Sequence, residues 1–254
     1  MRTNYLLAIS GNDILSGGGL YADLATYTAN SLHGFVAVTC LTTVSDGKLD
    51  IFPIEDSLVK KQLESLENVP FSAIKIGLLP NRQIAKEVLE FIKKRPLTKL
   101  VLDPVLVCKE NKDASGHAVR DDLIDLLPYA TIITPNLIEA ELLSQKSIKT
   151  LEDMQEAAAI LHRLGAKSVL IKGGNRFSSQ RAIDLFYDGI DYHVLEHAVL
   201  DANNIGAGCT LASSIASHLA LGKPLLESVT IAKNFVYEAI LHSDQYGVKQ
   251  YYEK

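Results

Sequence analysis

The segment Asn203-Asn204-Ile205-Gly206-Ala207-Gly208-Cys209-Thr210 leads directly into the helical run Leu211–Gly222, and it has the composition of an anion site. Glycines just ahead of a helix let the backbone approach a ligand closely. The N–H groups of the first turn, together with the helix dipole, favour negative charge there. A transferred phosphoryl group fits such a place. A cysteine in that first turn has its thiolate favoured by the same positive end, which makes Cys209 a candidate general base, with Gly206, Ala207 and Gly208 as the cradle beside it. The same residues also suit a tight turn followed by a small buried thiol, and residue types alone leave both readings open.

Other candidates gather where strands are expected to end. Asp103-Pro104-Val105 follows an apolar strand and can hold Mg²⁺, usually through water, although an aspartate there also suits a turn or helix cap. In Thr134-Pro135-Asn136-Leu137-Ile138-Glu139, Asn136 and Glu139 sit three apart and share the face of a first helical turn. That spacing is convenient for a hydrated metal and phosphate oxygens, and equally for an N-cap with its N3 acid. Lys172-Gly173-Gly174 presents a lysine as a point charge for nucleotide phosphate. Ser10-Gly11-Asn12-Asp13 and Ser16-Gly17-Gly18-Gly19 flank the first strand-to-helix turn, where glycines allow a flat ligand to press on the backbone. They form neither a Walker A motif nor GxGxxG, and the one Gly-Lys pair, Gly222-Lys223, runs into Pro224.

Elements that would position these residues alternate along the chain. Strands are expected at Tyr5–Ser10, Phe35–Leu41, Ala73–Gly77, Lys99–Asp103, Thr131–Thr134 and Ser168–Lys172, several of them apolar throughout, as strands buried on both faces are. Between them, Asn81 can cap a helix with Ile84, Val88, Phe91 and Ile92 on one face, ended by Pro96. Thr150 and Asp153 resemble a capping box for a helix that buries Met154, Ala157, Leu161 and Leu164 before Gly165. Asp50–Pro53 reads as a short extra strand, serving as a lid, a dimer edge or plain surface. Ala182–Tyr187 and Tyr192–Leu195 read as a hairpin around Asp188-Gly189. The polar stretch Lys109–His117, ahead of a helix expected near Arg120, is longer than the usual βα loop and suits a mobile cover. This pattern predicts an α/β fold, a mostly parallel central sheet with helices on both faces and a small lid, in a single domain over 1–254.

Composition narrows the partners. The formal charge of −5 argues against a nucleic-acid or anionic-lipid surface, and 47% hydrophobic content is enough for a large core. The apolar run within residues 1–15 is too short to span a bilayer and lacks a cleavage pattern, so a cytoplasmic protein is expected. Cys40, Cys108 and Cys209 have no CxxC spacing and read as free thiols; the seven histidines form no metal-ligand cluster.

The order of SGND, SGGG, KIGLL, DPVLVCK, TPNLIEAE, IKGG and GAGCT resembles the pyridoxal kinase and hydroxymethylpyrimidine kinase branch of the ribokinase-like superfamily over essentially the whole chain. That resemblance implies a ribokinase-like three-layer sandwich, ATP and Mg²⁺ as cofactors, and a homodimer. It also implies a nucleotide along Asn136, Glu139, Lys172, Gly206 and Gly208, metal at Asp103 and Glu139, and Cys209 as base where sugar kinases of the superfamily carry aspartate. The substrate would lie against Asn12, Asp13, Gly18, Val44, Gly77, Leu78 and Val107. Within the branch, hydroxymethylpyrimidine kinases carry a glutamine where Val44 stands, a methionine at Leu78 and a histidine at Ile205. Val107-Cys108-Lys109 is similar to the lid cysteine of dual-cysteine pyridoxal kinases of Gram-positive bacteria, which favours a B6 vitamer as substrate. Cys108 can then add to the pyridoxal aldehyde as a hemithioacetal, or simply pack under the loop. The alternative within the branch is the pyrimidine kinase of thiamine synthesis. A cysteine hydrolase or thiol redox protein is disfavoured because no triad pattern or CxxC supports it, and a non-catalytic B6 carrier would bind without nucleotide turnover.

Overall fold

The computed structural model describes residues 4–106 and 115–251, the side chains of 115–119 excepted. The chain divides into two compact units, Met1–Val101 with Ala202–Lys254, and Leu102–Asp201. The first begins with β1 (Tyr5–Ser10), α1 (Gly19–Ala29), β2 (His33–Val38), β3 (Cys40–Ser45), β4 (Lys48–Pro53), α2 (Asp56–Ser65), β5 (Phe71–Ile76) and α3 (Arg82–Lys93), and β6 (Lys99–Leu102) runs to the boundary. The second holds α4 (Ser115–Ile124), β7 (Ile132–Ile133), α5 (Leu137–Ser144), α6 (Leu151–Arg163), β8 (Val169–Lys172), β9 (Arg181–Tyr187) and β10 (Tyr192–Ala198). The chain then returns to the first unit with α7 (Ala207–Ala220) and α8 (Leu225–Leu241).

In the first unit β1 lies between β2 and β5, parallel to both. Leu6, Leu7, Ala8 and Ile9 of β1 and Ala73, Ile74 and Ile76 of β5 are buried, as the apolar runs predict for strands covered on both faces. Helices α1 and α7 pack on each other and on β1, and α7 also packs on β5. In the second unit β7 and β8 are parallel, and β9 and β10 continue antiparallel from β8. The hairpin forms around Asp188-Gly189 as expected: Gly189 takes φ 102°, and the Asp188 carboxylate accepts the amides of Ile190 and Asp191 at 2.8 and 2.7 Å.

The helix caps follow the sequence. Asn81 accepts Ile84 N at 2.9 Å, and Ile84, Val88, Phe91 and Ile92 are all buried. Thr150 and Asp153 close a capping box over α6, and Gly165 adopts φ 122° just past its end.

Two expectations are corrected. The second strand does not run to Leu41: β2 stops at Val38, after which Thr39 still donates its N–H to Ser10 O at 3.0 Å and its hydroxyl to Leu78 O at 2.7 Å. From Cys40 the chain forms a separate antiparallel pair, β3 with β4, so Asp50–Pro53 belongs to a hairpin. Its turn, Asp46-Gly47, has φ 50° and 74°, the paired positive values of a type I′ connection. The other correction is α4, which starts at Ser115 rather than near Arg120; residues 109–114 of the expected Lys109–His117 cover lie outside the described residues. Val107 and Cys108 lie outside the described residues.

Candidate active site

In the first unit, three chain segments meet at the start of α1. Asp13 organises the β1–α1 turn: one carboxylate oxygen accepts Gly18 N at 2.8 Å and the other accepts Leu15 N at 3.0 Å. The backbone of Asn12 is held from β3, because its N–H donates to Cys40 O at 2.9 Å and its carbonyl accepts the Thr42 hydroxyl at 3.0 Å. Thr42 Oγ1 also accepts Ile14 N at 3.0 Å, so one hydroxyl ties the β3–β4 hairpin to this turn. Val44 is two residues past Thr42 on β3 and so projects from the same strand face. Gly11, beside Asn12, packs against the Cys40 thiol and the Leu78 side chain, and Gly77 packs against Ser10.

The third segment is the start of α7. Gly206 is its N-cap at φ 84°, and the first intrahelical bond is Thr210 N to Gly206 O at 2.9 Å, so the amides of Gly208 and Cys209 precede the helical ladder. A Cβ placed on Gly18 would be 3.7 Å from Gly206 Cα and 3.9 Å from Cys209 Sγ. The half-exposed Cys209 thiol therefore stands at the glycine turn that Asp13 shapes. The Gly206 loop is braced by Asn203, whose side chain donates to Asp244 O at 2.9 Å and accepts Ile205 N at 3.0 Å, and by Val248 N on Ile205 O at 3.0 Å. Asn12, Asp13, Gly18, Gly206 and Cys209 are thus brought together, with Gly77 and Leu78 joined to them through Ser10 and Gly11.

In the second unit, Asp103, Glu139 and Lys172 form one cluster. Asp103, buried at the end of β6, accepts the Thr134 hydroxyl at 3.1 Å and pairs with Lys172 Nζ at 3.0 Å. Of the two readings of Asn136 and Glu139, the N-cap with its N3 acid is the one formed here. The two close a capping box, Asn136 N to Glu139 Oε2 at 2.7 Å and Glu139 N to Asn136 Oδ1 at 2.9 Å, and the same glutamate feels the charges of Lys172 and Asp103. Burial pushes the Glu139 carboxyl up from its ordinary range; Lys172 pulls it back, and Asp103 adds to the rise. Two carboxylates whose charges oppose each other, with only oxygen donors, fit a hydrated Mg²⁺. Among the described residues, no group of three or more His, Cys, Asp and Glu is placed to hold a metal by side chains alone.

Two features escaped the sequence reading. Asp184 on β9, opposite Lys172, is buried and accepts Gly173 N at 3.0 Å, so it shapes the Lys172-Gly173-Gly174 turn. A Gly173 side chain would run into Ile183 O, and Gly174 takes φ 56°; the glycine pair pointed to the turn but not to the aspartate that holds it. The β3 strand, which carries Thr42 and Val44, was missed although Asp46-Gly47 marks its hairpin as plainly as Asp188-Gly189 marks the other.

Comparison with known proteins covers nearly the whole chain. Residues 13–253 match the family model described as phosphomethylpyrimidine kinase. The chain is 35% identical over 253 residues to a pyridoxine kinase of Bacillus subtilis, spanning 96% of this chain and 92% of the relative. It is also 35% identical over 245 residues to a hydroxymethylpyrimidine/phosphomethylpyrimidine kinase of Aquifex aeolicus, spanning 95% and 96% of the two chains. A solved structure of the pyridoxal kinase from Staphylococcus aureus in complex with AMP-PCP superposes with a TM-score of 0.92 at 34% identity, covering 98% of this chain and 94% of that one.

Proposed function

This chain belongs to the phosphomethylpyrimidine kinase family, and we propose that it transfers the γ-phosphoryl group of ATP to the 5′-hydroxymethyl group of pyridoxal, and of pyridoxine and pyridoxamine, as a single kinase domain. The observation that carries this reading is Cys209 at the start of α7, beside the glycine turn that Asn12, Asp13 and Gly18 form. An alcohol lying against that turn has a thiolate at hand to take its proton as the oxygen attacks phosphorus. The amides of the Gly206–Cys209 segment face the charge that grows on the transferring group.

In the nucleotide half, Lys172 supplies a positive charge to ATP phosphates, and Asn136 and Glu139 line the same cluster. Asp103 and Glu139 would hold Mg²⁺ through water, and the ion would supply positive charge against the phosphates of the nucleotide. Identity to the B6 and pyrimidine kinases is equal at 35%, while the high structural likeness to the Staphylococcus aureus pyridoxal kinase supports a B6 vitamer as acceptor. Val44 favours a B6 vitamer, since its apolar side chain cannot make the hydrogen bond that a glutamine there would give a pyrimidine. Cys108, which the sequence resemblance assigns to the lid, would add to the pyridoxal aldehyde. The reading includes a homodimer and a cytoplasmic location; no helix among the described residues is long and apolar enough to cross a membrane.

ADP formation with pyridoxal and hydroxymethylpyrimidine supplied side by side, with Mg²⁺ present, tests this. Turnover of pyridoxal is expected. Turnover of hydroxymethylpyrimidine with none on any B6 vitamer would transfer the chain to thiamine synthesis.

A further inference from the structure

Beneath the Cys209 helix lies a buried group of polar side chains that the transfer chemistry does not use. Lys75 Nζ stands 2.9 Å from Asp23 Oδ1 and 3.0 Å from Oδ2, and neither side chain has any solvent exposure. Ser213 Oγ donates to Asp23 Oδ1 at 2.6 Å. The Tyr27 hydroxyl is also buried, close enough that burial first and the Asp23 charge second push its phenol well above the ordinary range, which keeps it neutral.

Each member has a fixed offset from a segment of the candidate site. Ser213 is four residues past Cys209 on α7, so both lie on one helix face. Asp23 is one turn past Gly19 on α1, the helix that Gly18 caps. Lys75 is two residues before Gly77 on the β5 side, and a Cβ at Gly77 would lie 2.8 Å from Lys75 Nζ. Stability is a poor reason for such a group, because taking two charges out of water costs heavily and apolar replacements of buried pairs are often neutral or stabilising. An ion pair has one quality an apolar contact lacks: it is satisfied in one geometry only.

Resting on the kinase reading above, we propose that Asp23, Lys75 and Ser213 are positioning residues. The pair and its serine fix the starts of α1 and α7 and the end of β5 in a single placement, and so hold Cys209 and the Gly206–Cys209 amides against Gly18.

Two variants of the full chain test this. Ser213→Ala removes one hydrogen bond and leaves the pair; the double variant Asp23→Leu/Lys75→Met exchanges the pair for apolar side chains. Four quantities are read: Tm, kcat and KM for ATP with pyridoxal, and the pH profile of Cys209 alkylation by iodoacetamide, followed on the Cys209 peptide by mass spectrometry. Positioning predicts Tm held near the parent value, kcat down by about 10–100-fold in the double variant and less in Ser213→Ala, and KM for ATP within a few fold. It also predicts alkylation of Cys209 displaced to higher pH as the helix end shifts away from its support. Parent kcat and an unchanged alkylation profile in both variants would overturn the proposal, as would a kcat loss that merely tracks a fall in Tm with that profile unchanged. If the double variant does not fold, Ser213→Ala decides alone on the same criteria. The alkylation profile needs no substrate, so it still decides if pyridoxal proves not to be the acceptor.

Discussion

The α-carbon of Gly206 lies so close to the Gly17 carbonyl that a methyl group there would overlap the oxygen. Gly206 also holds φ 84°, where a β-carbon adds strain of roughly 1–2 kcal/mol before any clash. Gly206→Ala should therefore lower Tm by several degrees, at about 2–4 °C per kcal/mol for a chain of this size class, and depress kcat as the cradle opens. Thermal unfolding and steady-state assays measure both, and an unchanged Tm would contradict the packing described.

Cys209→Ala should reduce kcat by about 10²–10⁴-fold while KM for ATP stays within a few fold, because general base catalysis acts in the transition state and not on nucleotide binding. Near-parent kcat would place the base elsewhere.

Lys172→Ala leaves Asp103 without its 3.0 Å partner and removes the charge that lowers Glu139. With 19% of the Lys172 side chain exposed, the loss of stability should be about 1–3 kcal/mol, below that for breaking a fully buried pair. KM for ATP should rise and kcat fall; unchanged ATP kinetics would remove Lys172 from the nucleotide site.

Glu139 has its folded pKa raised by burial, so folding favours its protonated form. Its ionised form is penalised as pH rises from the ordinary carboxylate value through the raised one, and the penalty is complete above that window. Glu139→Gln keeps an oxygen for Asn136 N and removes the charge. The variant should therefore gain Tm over the parent at pH 8 and lose that gain at pH 4, while its Mg²⁺-dependent activity falls. A Tm difference that is the same at both pH values would show that the raised pKa contributes nothing.

Val44→Gln places an amide on the β3 face shared with Thr42. The ratio of kcat/KM for hydroxymethylpyrimidine to that for pyridoxal should rise by about 3–10-fold, the worth of one added hydrogen bond. An unchanged ratio, measured by ADP release, would detach Val44 from acceptor choice.

What the sequence determined by itself was local. Apolar runs such as Tyr5–Ser10 and the caps at Asn81 and Thr150 declare themselves because strand burial and helix ends depend on neighbours in the chain. The glycines around Cys209, the acids at strand ends and Lys172 were readable for the same reason, as each sits in a motif a few residues long. Pairing across long separations was decided only by the tertiary structure. Cys40–Ser45 pairs with β4 instead of continuing the main sheet, and that partner is not written in residues 35–41. Asp184 could not be linked to Gly173, nor Ser213 to Asp23 across 190 positions, until the folded chain brought a donor to a buried carboxylate. A buried charge must find its partner wherever the fold provides one, and sequence spacing carries no trace of that choice.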